Sequence, residues 1–238
     1  MTNWYHTYFG RTLLNAERLV LDKIISKLFG YYLVQLGGPD DYDFLLSSPI
    51  ANKLRVDPSD LKYTDFVRAE FNTLPFLPES IDVIVISHIL EFVRNSRAVL
   101  TEAYVSLVAE GNLIILGFNP FSLFGLLKFF YKHKEFPWNG RFMRIGKIQK
   151  WLHDLGFEIV LRRTCCFNLP LGKYCLHYPR WVESILNFLF PHCGASYIFV
   201  CKKKVIALTP LKERLLQKHL VLRESVSGAH YRESCEKN

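Results

Sequence analysis

Two short, β-branched apolar runs, Ile81–Ser87 and Asn112–Phe118, stand out along the chain, each bounded by turn residues or by a helix. Such runs are expected of parallel strands covered on both faces. Between them, Asn95–Val108 places Leu100, Ala103 and Leu107 at helical spacing and runs on to Gly111, which is expected to cap the helix. Strand, helix, strand predicts a βαβ unit with a right-handed crossover. Upstream, Arg11–Phe29 predicts an amphipathic helix with Leu14, Leu21, Ile24, Ile25 and Leu28 on one stripe and Gly30 at its end. Strands are then expected at Tyr31–Leu36, Lys53–Val56 and Phe66–Phe71, with a short helix within Asp40–Ser48. Downstream the pattern predicts a strongly apolar helix over Ser122–Tyr131, a helix over Ile145–Leu155 ending at Gly156, and strands at Phe157–Arg162 and Tyr197–Cys201. In a sheet of this kind ligands bind beyond the carboxyl ends of the strands. Function is therefore expected near Glu70–Phe71, Ser87–Glu91 and Gly117–Pro120.

Composition narrows the class without changing that outline. Half of the 238 residues are hydrophobic and 15% are aromatic, enough for a full core in one α/β domain with insertions. The net charge is +8, and residues 201–238 hold nine Lys/Arg against four Asp/Glu, so +5 of it belongs to the tail. Such a tail suits weak contact with an anionic membrane surface, although solubility explains it as well. No aromatic-rich basic motif points to nucleic acid. The six cysteines (165, 166, 175, 193, 201 and 235) show no C-x-x-C and no zinc-like spacing, so no metal is expected. Cys165-Cys166 is expected in a buried strand. The start, MTNWYHTYFGR, is not a secretory signal, and the apolar stretches are too short to span a bilayer, which leaves a soluble, cytoplasmic protein as the expectation.

One segment, AEFNTLPFLPESIDVIVISHILEF, resembles the middle of a class I S-adenosylmethionine-dependent methyltransferase. The likeness rests on Glu70, Leu74-Pro75-Phe76, Ile81-Asp82, Ser87, His88 and Glu91. SHILEF, GFNPFSLFG and Pro137–Arg141 resemble more narrowly a little-characterised bacterial branch, and the likeness extends over about residues 10–205. It implies a Rossmann-like sheet of seven strands, mostly parallel with the last antiparallel, and helices on both faces. Residues 1–30 would form a covering helix, 31–205 the methyltransferase-like domain with a substrate-side cap at 169–192, and 206–238 a basic tail, partly disordered. The cofactor implied is S-adenosylmethionine and the partner a small-molecule acceptor.

The resemblance also assigns roles. Gly37 and Gly38 would let the backbone approach the methionine part of the cofactor, though they also read as a plain strand-to-helix turn. The family's acid before this loop is replaced by Gln35 or Leu36, with Asp40, Asp41 and Asp43 as nearby substitutes. Asp57 would hold the ribose diol, or simply open an Asp-Pro turn. Glu70 would contact adenine and Phe71 wall it, unless Glu70 is a solvated strand-end charge. Ser87 and His88 would lie where the methyl group is presented. His88 can take a proton from the acceptor, its ordinary pKa being close to neutrality, or merely pack beside the sulfonium or cap a helix. Glu91 suits a helix N-terminus. Asn119 offers a donor and an acceptor to a substrate, or starts a turn, and Trp138 lies on a loop over the site. The leading expectation is methyl transfer to a small, apolar or aromatic acceptor. The alternative is a non-catalytic protein of the same fold that serves as a binding module, which the short glycine loop favours. A nicotinamide dehydrogenase is excluded by the lack of G-x-G-x-x-G after the first strand.

Overall fold

The computed structural model describes residues 2–39, 45–59, 66–128, 136–166, 169–171, 174–176 and 194–204. These all lie in one compact unit, Met1–Val205. The strands are β1 (Tyr32–Gly37), β2 (Asn52–Asp57), β3 (Phe66–Arg68), β4 (Ile81–Ser87), β5 (Leu107–Phe118), β6 (Phe157–Cys165), β7 (Leu169–Leu171), β8 (Tyr174–Leu176) and β9 (Ser196–Lys203). The helices are α1 (Thr2–Tyr5), α2 (Tyr8–Ile25), α3 (Ser96–Ser106), α4 (Leu123–Leu127) and α5 (Ile145–Leu155).

Seven strands form one sheet in the order β3-β2-β1-β4-β5-β9-β6, and β7 and β8 make a separate hairpin. β1 to β5 are mutually parallel, while β9 runs antiparallel between β5 and β6. The central strands are apolar on both faces because both faces are covered. Val34, Leu36, Ile84, Ile86, Leu113 and Ile115 face one core, with Val99, Leu100, Ala103, Ile148 and Leu152 of α3 and α5. Leu33, Val83, Val85, Ile114 and Leu116 face the other, against Leu14, Leu21 and Ile25 of α2. Alternation then puts Gln35 and Ser87 on the α2 side of the sheet. Asp82 ties the start of β1 to β4, its Oδ2 accepting from Tyr31 N at 2.8 Å and Tyr32 N at 2.9 Å.

Three of the boundaries that differ from the sequence expectation bear on the site. Helix α2 begins at Tyr8, where the Thr7 side chain caps Gly10 N, and closes at Ile25 rather than Phe29. Gly111 does not cap α3. The helix stops at Ser106, Leu107 is already extended and its N–H still reaches Ala103 O, and β5 begins at once. Ile81 pairs with Leu107 and Val83 with Asn112, so residues 108–111 bulge out between the two pairings. Strand β3 ends at Arg68, which leaves Glu70 and Phe71 beyond it, Glu70 O accepting from Thr73 N at 3.2 Å. Cys165 closes β6 and Cys166 follows it, both buried as expected. The residues expected to form the rest of the α4 helix, the short helix of the cap and the tail, 129–131, 182–190 and 206–238, lie outside the described residues.

Candidate functional site

The sheet order reverses between β1 and β4, which pair with each other and otherwise with β2 on one side and β5 on the other, and the carboxyl ends of these two strands are where a ligand crevice is expected. Gly37 and Gly38 sit there with φ of +66° and +106°, in the left-handed region that a side chain disfavours. A Cβ on Gly37 would lie 2.2 Å from Ile89 Cγ2, and one on Gly38 2.6 Å from Gln35 Nε2 and 3.4 Å from Ser87 Oγ. The turn is therefore closely packed by the chain itself. Gln35, fully buried in β1, donates from Nε2 to Gly37 O at 2.8 Å. Its Oε1 and the Ser87 hydroxyl are both buried without a hydrogen-bond partner among the described residues.

To one side of this crevice, at the ends of β2 and β3, lie Asp57, Glu70 and Phe71. Asp57 Oδ1 accepts from Ser59 N at 2.9 Å and from the Ser59 hydroxyl, so the residue opens an Asx turn. Glu70 is exposed and Phe71 is buried in the core. Residues 40–44, which carry the three candidate substitute aspartates, lie outside the described residues.

To the other side the chain builds something sequence reasoning did not anticipate. His88 adopts φ of +51°, an uncommon conformation for a residue with a Cβ, while its N–H donates to Leu116 O at 3.1 Å. The twist sends its ring toward α2. There His88 Nε2 lies 3.0 Å and 3.1 Å from the two carboxylate oxygens of Glu17. Both side chains are buried, 1% and 0% exposed. A carboxylate only accepts, so Nε2 carries the proton. Nδ1 is buried without a partner among the described residues. Burial alone would lower the His88 pKa, but the carboxylates of Glu17 and Glu91 outweigh it and the net shift is upward.

Glu91, 2% exposed, accepts from Phe118 N at 2.6 Å, and its second oxygen has no partner among the described residues. Burial raises its pKa against the pull of His88 and of the backbone N–H. Across the β5–β9 pair, Tyr197 stands opposite Gly117. A Cβ on Gly117 would meet the Tyr197 hydroxyl at 2.1 Å and Glu91 Oε1 at 2.6 Å, so glycine makes room for both. The Tyr5 and Tyr197 hydroxyls are likewise buried and unpartnered among the described residues, and burial followed by nearby carboxylate charge holds both far above ordinary phenols.

An aromatic shell surrounds these groups. The Phe118 ring lies 4.2 Å from that of His88 and 5.1 Å from Phe142. Trp4 packs edge-on to Phe136 at 5.5 Å and Phe118 at 6.0 Å, and Phe92 stacks on Phe136 at 4.9 Å. Trp138 packs on Phe124 at 4.9 Å. Asn119 is fully buried, with Nδ2 donating to Gly194 O at 2.9 Å and Oδ1 accepting from Phe121 N at 3.1 Å. Its side chain is occupied in fixing the turn into α4.

Comparison with known proteins places this architecture. A family model described as a methyltransferase domain matches residues 46–115. A methyltransferase of the S-adenosylmethionine-dependent kind from Archaeoglobus fulgidus superposes with a TM-score of 0.58 at 16% identity, over 82% of this chain and 98% of that one. The chain has the class I methyltransferase fold. A chain from the Haloferax volcanii complex of the Trm112 methyltransferase activator with a methyltransferase gives 0.60 at 13% identity, over 82% and 91%. The uncharacterized protein YafS of Escherichia coli K12 is 28% identical over 213 residues, 88% of this chain and 85% of that protein. No helix among the described residues is long and apolar enough to cross a membrane. No metal-holding cluster of His, Cys, Asp or Glu occurs among them.

Gln35 Oε1 is left with the capacity to accept a hydrogen bond and the Ser87 hydroxyl with the capacity to donate one. Glu17 belongs to none of the motifs singled out in the sequence. Its spacing from Leu13, Leu14 and Leu21 places it inside the buried stripe, and a carboxylate there was the available signal.

Proposed function

We propose that the protein transfers the methyl group of S-adenosylmethionine to a small, apolar or aromatic acceptor. The observation that carries this reading is the pair of unsatisfied buried groups, Gln35 Oε1 and Ser87 Oγ, flanking the Gly37-Gly38 turn at the β1/β4 crevice of a methyltransferase-type sheet. A buried polar atom left without a partner costs about 1–3 kcal/mol, which a bound amino-acid group offsets. In this reading Phe71 and Glu70 lie toward adenine, Asp57 toward the ribose, and Gly37, Gly38, Gln35 and Ser87 at the methionine end. The aromatic shell with Trp138 at its rim forms the acceptor side, and Asn119 shapes it from the turn it holds. The cofactor supplies an electrophilic methyl group on a positively charged sulfur. The chain's contribution is alignment of the acceptor, exclusion of water by the rings around Phe118, and a place for the acceptor's proton at His88.

Isothermal titration with S-adenosylmethionine and S-adenosylhomocysteine tests the reading. Saturable binding of both with a rise in melting temperature is expected. No heat at millimolar ligand and no thermal shift would leave the fold serving as a binding module instead.

A further inference from the structure

We infer that Glu17 is a positioning residue that holds His88 with its proton on Nε2 and the lone pair of Nδ1 free to act as general base. This rests on the methyl-transfer reading and deepens it, because it defines the acceptor as a hydroxyl or an amine whose proton has to leave. The geometry is specific. Both oxygens of a fully buried carboxylate converge on one ring nitrogen at 3.0 Å and 3.1 Å. The other nitrogen is buried with no partner among the described residues. A histidine serving only to join α2 to the sheet would be expected to satisfy both nitrogens, since an orphaned buried acceptor is costly. The backbone of His88 is turned to φ of +51° to reach this arrangement, and Phe118 covers the ring at 4.2 Å. The charged and titratable groups facing the ring are Glu17 on α2, Glu91 after β4 and the Tyr5 hydroxyl at the end of α1.

The step balances. The acceptor's oxygen or nitrogen lone pair forms the new bond to the methyl carbon. The carbon–sulfur bond breaks with its electron pair returning to sulfur, which becomes a neutral thioether. The acceptor's proton passes to Nδ1 of neutral His88, and the imidazolium so formed stays paired with Glu17. A base at Nδ1 requires the opposite nitrogen to keep its hydrogen, which is the constraint the two Glu17 oxygens impose.

Nitrogen-15 NMR of the histidine rings in the full-length protein tests this without knowledge of the acceptor. His88 is assigned by its loss in His88→Gln, and the spectra are compared for wild type and Glu17→Gln, free and with S-adenosylmethionine or S-adenosylhomocysteine. Wild type is expected to show the Nε2–H tautomer at high pH. Glu17→Gln should keep that tautomer through the amide oxygen while His88 titrates about one to three pH units lower. The S-adenosylmethionine complex should titrate lower than the S-adenosylhomocysteine complex, because only the former carries a positive sulfur near the ring. An Nδ1–H tautomer in wild type, or a His88 titration unmoved by Glu17→Gln, overturns the positioning role. Equal titration in the two complexes overturns the base role while leaving cofactor binding intact. Calorimetry that shows neither ligand binding removes the methyl-transfer reading and the base role with it, while the free-protein spectra still decide the tautomer. A Glu17→Asp variant, which keeps the charge, is expected to restore a raised His88 titration if Glu17→Gln proves too unstable to study.

Discussion

The two sides of the β1/β4 crevice are built from opposite materials. On the β2/β3 side the polar candidate contacts, Asp57 and Glu70, are partly or fully exposed, while Phe71 is buried, and the strands are short. On the β5/β9 side the ionisable groups, Glu17, His88, Glu91 and Tyr197, are 2% exposed or less and ringed by Trp4, Phe92, Phe118, Phe136 and Phe142. Recognition of a polar nucleoside can be done at a wet edge, where a carboxylate contributes a hydrogen bond and little else. Holding a proton in a defined place requires a water-poor site, where each charge strongly biases its neighbour. The contrast predicts that changes on one side act on binding and changes on the other act first on stability.

The largest effect is expected at Glu17. Glu17→Ala leaves His88 buried without its counter-charge and should cost about 3–5 kcal/mol in urea unfolding, the usual range for halving a buried pair. Glu70→Ala, on the exposed side, should change stability by less than about 0.5 kcal/mol. Equal effects of the two would erase the distinction. Next comes the turn between the sides. Gly37→Ala forces a Cβ into Ile89 at a φ of +66° and should destabilise by about 1–3 kcal/mol. Adding Ile89→Ala should not restore stability, because Ile89 is itself buried and its truncation leaves a cavity.

The pH dependence of stability sharpens the buried side. Both His88 and Glu91 have pKa values raised by folding, so the folded state holds more protons and stability declines as pH rises. The Glu91 contribution is complete below about its ordinary 4.5 and is lost through its higher folded value. That of His88 is complete below about 6.5 and is lost above it. Urea midpoints of wild type should therefore fall relative to His88→Gln between neutral and alkaline pH. A gap that widens in favour of wild type over that range would mean that His88 is buried neutral.

Smaller effects are expected on affinity. Gln35→Glu restores an acid before the glycine turn and should tighten S-adenosylmethionine by about tenfold, at some expense of stability because the position is fully buried. Glu70→Ala should weaken it about two- to tenfold, in line with one hydrogen bond at a solvated position. Calorimetry reads both.

Much of the scaffold was legible because burial on both faces leaves a continuous apolar signature. Ile81–Ser87 was delimited as β4, and the antiparallel placement of Tyr197–Cys201 followed from the resemblance and holds in the sheet. The boundaries that slipped were set by tertiary pairing rather than local chemistry. Gly111 has the look of a helix cap, but the sheet captures Leu107 directly and turns the glycine into part of a bulge. Of the candidate site, the Gly37-Gly38 and Ser87-His88 pairs stood out in the sequence, and the β1–β4 register brings them together. The site was not legible where the proposed function depends on residues far apart in the chain. His88 and Glu17 are separated by 71 positions, and Tyr197 meets Glu91 only through the β5–β9 register. Nor does the sequence pattern reveal that the Asn119 side chain joins its own turn to Gly194.

The central claim is that the Gly37-Gly38 turn and the ends of β1 and β4 receive the amino-acid end of an S-adenosyl ligand. A crystal structure with S-adenosylhomocysteine measures this directly. The account predicts its ammonium within hydrogen-bonding distance of Gln35 Oε1, its carboxylate at Ser87 Oγ, and its purine toward Phe71 and Glu70. Ligand seated elsewhere on the sheet, or a crevice still closed by Ile89 over Gly37 with no ligand in it at saturating concentration, would contradict it.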